Sequence, residues 1–438
     1  MSSPDDRRAL VLVGYVQGWL PLLRRTVGDL RVIIIEEPAV AYARGARAHL
    51  AAHWPECDLY ELDFRRPMAA DLFHLWHPDL RIQAVVPVDD AGVVFAARLA
   101  QRLGLPGAGP ASAEILGDKF LLRQVAEAGG VAGPQWRLIR SPADAVAFAE
   151  RVPGGLVLKP TARAGSSGVQ IVPDAADVPA GWERMVAPPA HSSTRFPAVE
   201  SYLAERRMVG RQYNVNLLVR RGEVLFRNVT ATDVAPGANP VPVTETIDPD
   251  LPPAQYAQLV AEAERLVAAV DFDTGFIHSE WIMEDGVVRL VECGGRLAGG
   301  PIMLMIGYAY SYDVVAAYLA VMSGEPLDVA PPTQPRSASM LLTKHVRPGR
   351  VTAITGAGAA GARDGVLALD VFVAEGDQVG ELVSLPSVAA RVVTLGRTVA
   401  EARSVGEDAL AVLDVSTVLS VVEDGRGGRP DRQLRVDE

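Results

Sequence analysis

Two stretches of this chain carry side chains suited to chemistry. The first is GLVLKPTARAGSSGVQIV, residues 155–172, in which a strand delivers Lys159, the small residues Gly165, Ser166, Ser167 and Gly168 form a loop, and a second strand returns. Glycines let backbone N–H groups approach phosphate oxygens, and serine hydroxyls add donors. A lysine beside such a loop would neutralise phosphate charge. The lysine precedes the glycines, so this is not the G-x-x-x-x-G-K-[ST] loop. Taken alone, the segment reads equally well as a flexible hairpin with a buried lysine stem.

The second stretch is GFIHSEWIMEDGVVRLVECGGRLAGG, residues 275–300, two strands around a tight turn with Glu280 on one and Glu292 on the other. Carboxylates held together across a hairpin repel unless a cation neutralises them, and magnesium bridging nucleotide phosphates uses one or two carboxylates in this way. Arg296 follows Glu292 closely enough to stabilise charge on a phosphoryl group in transfer. The apolar VVRLVE argues for a buried strand over a solvated hairpin. His278 is a site-adjacent candidate, although a lone strand histidine is more often structural. Cys293 reads as core, since nothing nearby suggests an activated thiolate.

The elements that must position these residues follow from pattern. Residues 9–16, 31–35 and 84–88 read as buried strands, with a helix at 91–103, which points to a parallel sheet with helical crossovers. A helix at 118–130 ends at Gly129-Gly130. Short strands and glycine-rich turns then run to about 205, around a helix at 142–151 opened by Ser141-Pro142. Hairpins are expected at 213–230 and 275–292, turning at Arg221-Gly222 and Glu284-Asp285-Gly286, with a helix at 253–270 between them. A helix at 312–323, short strands over 337–415 and a helix at 398–412 complete the pattern. GAGAAG at 356–361 matches a dinucleotide fingerprint but lacks its strand–helix context, and reads as a glycine-rich turn.

Bulk properties exclude several classes. Over 438 residues the net charge is −11, which argues against a nucleic-acid partner. The two cysteines form no CxxC pair, so neither a disulfide framework nor a thiolate zinc site is expected. No apolar run is long enough for a membrane span, and MSSPDDRRALVLVGY does not read as a signal peptide. A reduced cytoplasmic protein is expected, with a homodimer left open.

In their order along the chain these features resemble the ATP-grasp superfamily. PASAEILGDKFLLRQVAEAGGVAGPQW resembles its Asp-Lys pair, helix and Gly-Val-Pro turn, and VLKPTARAGSSGV its Lys-Pro strand and lid loop. AVESYLAERRMVGRQYNVNLLV looks like its adenine hinge and next core strand, while HSEW and VECGGRLAGG look like its paired metal strands. The C-terminal region, with GDQVGELV and VVTLGRTVAEARSVGEDAL, is similar to the carboxylase-like and amino-acid-ligase branches. The resemblance implies an α/β and α+β multi-lobed ATP-grasp fold: an N-terminal parallel-sheet lobe (1–110), an ATP-grasp domain (111–330) with a small lid lobe (about 131–205), a C-terminal antiparallel core extension (331–422) and a disordered tail (423–438).

By the same resemblance, Lys119 and Lys159 would contact ATP phosphates under a lid loop of Gly165, Ser166, Ser167 and Gly168. Backbone groups of Glu200 and Leu203 would hold adenine. Glu280 and Glu292 would hold Mg2+, with Mn2+ as an alternative, and Arg296 would contact the reacting phosphoryl group. Gly294 stands where the family usually has a metal-binding asparagine, so Gly294→Asn is expected to be tolerated unless that position needs φ > 0. Gly210-Arg211-Gln212 replaces the usual Gly-x-Glu, leaving the ribose contact open, with Glu205 as an alternative. The implied activity is an ADP-forming carboxylate–amine ligase, most like the L-amino acid ligases, with small-molecule carboxylate and amine substrates. A biotin-carboxylase-like enzyme and a non-catalytic nucleotide-binding regulator are the alternatives.

Overall fold

The structure, a computed structural model, describes residues 8–28, 30–163, 165–187, 201–235, 241–380 and 388–418. Glu200 and the expected disordered tail lie outside them.

The N-terminal lobe is built on β1 (Ala9–Val13), β2 (Arg31–Glu36), β3 (Asp58–Glu61) and β4 (Ile82–Pro87). They form a parallel sheet in the order β3-β2-β1-β4. The β-branched runs are buried on both faces, as a sheet covered by crossover helices requires. β3 went unread in the sequence because DLYE has no continuous apolar run. At the carboxyl edge of β4, Asp89 caps the turn that presents Asp90.

The lid lobe holds β5 (Trp136–Ile139), β6 (Leu156–Pro160), β7 (Gln170–Val172) and β8 (Tyr202–Arg206), in the antiparallel order β5-β8-β6-β7. The helix Pro142–Ala149, capped by the Ser141 side chain, packs with the helix Val178–Val186 against it.

The remaining strands are β9 (Arg211–Arg220), β10 (Glu223–Val234), β11 (Pro242–Ile247), β12 (Gly275–Glu284), β13 (Val287–Gly294), β14 (Ala338–Lys344), β15 (Gly349–Thr355), β16 (Val366–Val371), β17 (Gln378–Val379), β18 (Ala390–Gly396) and β19 (Asp414–Val418). Eight of them make one antiparallel sheet, β13-β12-β9-β10-β11-β14-β18-β16. Hydrogen bonding thus runs unbroken from the strands bearing Glu280 and Glu292 into the C-terminal part. β15, β17 and β19 form a separate three-stranded sheet. Both hairpin turns place two consecutive residues at positive φ, Arg221-Gly222 and Asp285-Gly286, which matches the right-handed strand twist.

Two readings need correction. The single helix expected at 312–323 is preceded by another, Ile302–Tyr310, with Val314–Met322 after it. IMLMIGYAY is apolar on every side and gives no amphipathic signal, because the helix is packed within the main core. The glycine-rich run at 356–361 contains a one-turn helix, Ala357–Gly361, and Gly356 is required there because a Cβ would lie 2.1 Å from the Val412 carbonyl oxygen. Among the described residues no single helix is long and apolar enough to cross a membrane.

Candidate active site

The lid lobe, the eight-stranded sheet and the edge of the N-terminal lobe enclose one cavity of about 2110 Å3. Lys159, Gly165, Ser166, Glu280, Glu292 and Arg296, from the two stretches 155–172 and 275–300, line it.

Lys159 stands near the end of β6, only 4% exposed. Its Nζ lies 2.8 Å from Glu205 Oε2 and 3.4 Å from the Val291 carbonyl oxygen. Glu205 also accepts a two-point bond from Arg123, Nε to Oε1 at 2.7 Å and Nη2 to Oε2 at 3.2 Å, and Arg123 donates to Val291 O at 2.7 Å. Burial pushes the Lys159 amine down, against the pull of Glu205. Burial would raise the Glu205 carboxyl, but Arg123 and Lys159 together hold it below its usual range. Both Glu205 oxygens therefore pair with buried cations. Arg123 went unnoticed in the sequence. Its signal was its place one helical turn after Lys119, on the same face of the helix Lys119–Ala128.

Lys119 ties two parts together. Its Nζ pairs with Glu292 Oε1 at 2.8 Å and donates to the Arg163 carbonyl at the root of the lid loop. In that loop Gly165, Ser166 and Gly168 all have positive φ. A side chain at Gly168 would press on Pro160 and Arg163 at 3.0 Å. The Ser167 hydroxyl is buried with no hydrogen-bond partner among the described residues, a donor left for a ligand oxygen.

Leu203 does not occupy the place expected of it. It is fully buried in the middle of β8, paired with Leu138 on one side and Lys159 on the other, so its backbone belongs to the sheet. The segment running on from β8 that lines the cavity is Arg206–Gly210. Glu284 clamps it, pairing with Arg206 and Arg289 and accepting from Val209 N at 2.9 Å. The Arg206 bond leads these in holding the Glu284 carboxyl down at about 2. Gly210 is pressed so close to β12 that a Cβ would lie 2.0 Å from Met283 O.

Glu280 and Glu292 sit directly opposite one another across β12 and β13. Enclosure in the cavity and the neighbouring Glu292 raise the Glu280 carboxyl to about 7. This is the electrostatic mark of a place that favours a cation, and two opposed carboxylates are donors that would fit Mg2+. Among the described residues no three His, Cys, Asp or Glu groups cluster as a protein-only metal cage. Gln212 donates to Glu280 Oε2 at 3.1 Å. His278 Nδ1 lies 2.9 Å from Asn216 Oδ1, and burial with Arg296 nearby lowers the ring to about 3, so it stays neutral.

Arg296 is joined to the N-terminal lobe by a 2.8 Å bond from Nη2 to Asp90 Oδ2. That carboxylate also explains Gly294, where a Cβ would lie 2.7 Å from Asp90 Oδ1. Gly294 has no positive φ, so the constraint is steric and comes from another lobe. A side chain at Gly294 must therefore displace the Asp90 carboxylate, which weighs against the expectation that Gly294→Asn is tolerated.

Residues 152–303 match the ATP-grasp domain, and residues 345–418 match L-amino acid ligase C-terminal domain 2. The uncharacterized protein y4rH of Sinorhizobium fredii is 26% identical over 296 residues, which span 66% of this chain and 60% of that protein. The L-amino acid ligase from Bacillus licheniformis superposes with a TM-score of 0.77 at 16% identity, over 94% of this chain and all of its own. Phosphoribosylglycinamide synthetase from Anaerococcus prevotii gives 0.70 at 14%, covering 95% of this chain and 100% of its own. The biotin carboxylase domain of the Hydrogenobacter thermophilus 2-oxoglutarate carboxylase, a dimer in complex with MgADP, gives 0.67 at 15%, covering 94% and 91%. At these identities the superpositions establish the ATP-grasp fold.

Proposed function

We propose that this chain, which belongs to the ATP-grasp superfamily, is an ADP-forming ligase that joins a small carboxylic acid, an amino acid, to an amine. The observation that carries this reading is the convergence, in one cavity, of a lysine beside a glycine–serine loop, a hinge, a pair of opposed carboxylates and a cavity-lining arginine.

A carboxylate is a poor acylating agent because oxide is a poor leaving group. Its oxygen attacks the γ-phosphorus of ATP, the bond to the β-phosphate oxygen breaks, and ADP leaves. The resulting acyl phosphate is attacked at its carbonyl carbon by the amine nitrogen. Phosphate leaves, the nitrogen loses a proton, and an amide remains. Phosphoryl transfer is catalysed chiefly by positioning and charge neutralisation. Lys159, fixed by Glu205, and the Ser167 hydroxyl hold phosphate oxygens, while Arg296, fixed by Asp90, faces the group in transfer. Glu280 and Glu292 would hold Mg2+, which when bound neutralises phosphate charge. The hinge Arg206–Gly210 receives the adenine. The lid loop, rooted through Lys119, closes over the phosphates and excludes water.

The test is a screen for ADP release with pools of amino acids and small carboxylic acids, with and without amines, followed by mass spectrometry of the products. With the correct acid and no amine, hydroxylamine should trap a hydroxamate. AMP and pyrophosphate as products would overturn the acyl-phosphate route, and ADP release that depends on bicarbonate but on no amine would indicate a carboxylase.

A further inference from the structure

The same cavity contains a charged group that the phosphate chemistry does not use. Arg391 lies on β18, within the C-terminal segment 345–418, and lines the same cavity as Lys159 and Arg296. Its Nε donates to Asp370 Oδ2 at 2.7 Å, and its guanidinium sits 5.0 Å from the Phe372 ring centroid. These two contacts fix the plane of the side chain. The terminal Nη1 and Nη2 groups have no hydrogen-bond partner among the described residues. A guanidinium has two edges for pairing, and Asp370 meets the Nε side, so the end-on edge remains for a second planar acceptor.

The path from the reacting centre to Arg391 passes two residues without side chains, Gly299 and Gly300, which also line the cavity. A Cβ at Gly300 would lie 3.8 Å from Arg391 Nη1, so Arg391 begins where the loop carrying Arg296 ends. Glu245, on β11, shares the cavity and the sheet face. Burial and Glu280 raise its carboxyl, against the pull of Arg391. The carboxylate to be activated must sit at the phosphoryl end, beside Lys159 and Arg296. What reaches Arg391 is the part of a substrate that does not react.

We propose that Arg391 is a specificity-determining residue that binds the unreacting carboxylate of the amine substrate, making that substrate an amino acid rather than a simple amine. This rests on the ligase reading and gives the C-terminal segment a part in substrate choice. An amino acid places its nitrogen one carbon from its carboxylate, so anchoring the carboxylate at Arg391 turns the nitrogen toward the acyl phosphate. Lysine would substitute only in part, because a point charge lacks the two-point edge.

The test fixes the acid that supports ADP release and varies the amine. The standard L-amino acids, their primary amides and propylamine are supplied singly, and amide product is quantified by mass spectrometry. The wild type should use a free amino acid with kcat/KM about 10- to 100-fold above its own amide, the range expected for a charge-assisted pair. Arg391→Met should bring that ratio close to one, mainly through KM for the amine, and Arg391→Lys should recover only part of it. A purely structural role would lower both rates and leave the ratio unchanged, which overturns the assignment. If Arg391→Met fails to fold, the wild-type comparison still decides, because equal use of acid and amide, or of propylamine, overturns it. ADP release with those amines would leave the ligase reading standing, whereas no ADP release with any acid and amine would remove both.

Discussion

Glu205 Oε2 lies 2.8 Å from Lys159 Nζ, and the same carboxylate accepts both available nitrogens of Arg123. One buried anion thus holds two buried cations at the boundary between the lid lobe and the sheet. Removing a member of such a group leaves a charge uncompensated, at a cost of about 3–5 kcal/mol. Glu205→Gln is expected to lower stability by that order and to raise KM for ATP, because Lys159 loses its alignment. Urea denaturation and ATP titration check the two effects. An unchanged ATP titration would show that Lys159 does not depend on Glu205.

Lys159→Ala should reduce kcat/KM for ATP about 100-fold or more, as loss of a preorganised donor to a transferring group does. The sequence suggests that this variant loses little packing. The structure adds a stability loss, moderated because Arg123 still neutralises Glu205. Steady-state kinetics at limiting ATP, with a thermal melt alongside, separates the two.

Gly294→Asn should inactivate the enzyme nearly as severely as Arg296→Ala. The new side chain must displace Asp90, and the Arg296–Asp90 bond goes with it. Wild-type turnover in Gly294→Asn would mean that Asp90 moves aside freely.

Glu284 should make stability depend on pH and should support nucleotide affinity through its clamp on Arg206–Gly210. Its folded-state carboxyl is held at about 2, below its ordinary value of 4.5, so the stability it contributes is full above pH 4.5 and is lost as the pH falls toward 2. Glu284→Gln should flatten the acid limb of the stability curve in that window. It should also raise KM for ATP severalfold with little change in kcat, because the hinge loses its clamp. Denaturation midpoints across pH 2–5 and ATP kinetics at neutral pH test the pair.

The loop through Gly165, Ser166, Ser167 and Gly168 should lose hydrogen-exchange rate when a non-hydrolysable ATP analogue and magnesium are added. The Ser167 hydroxyl has no hydrogen-bond partner among the described residues, and a bound phosphate is expected to supply one. Equal exchange in both states would show that the loop is no lid.

Local order along the chain determined the ATP-grasp architecture and brought forward Lys119, Lys159, Glu280, Glu292 and Arg296, because strand, loop and hairpin chemistry are written in consecutive residues. The turn pairs Arg221-Gly222 and Asp285-Gly286 were legible for the same reason: positive φ is a local demand. Contacts across long separations were not legible. Leu203 and Glu205 are neighbours on one strand, yet only packing against Arg123 and β5 decides that one is sealed in a ladder and the other pairs with two cations. Asp90 and Arg296 are joined by the meeting of two lobes, and that meeting makes Gly294 a steric necessity. Arg391 belongs to no motif, and became a candidate only because the eight-stranded sheet carries β18 back to the loop after Arg296. Burial and charge pairing are properties of the assembled lobes, so tertiary structure alone decided which of the legible residues can act together.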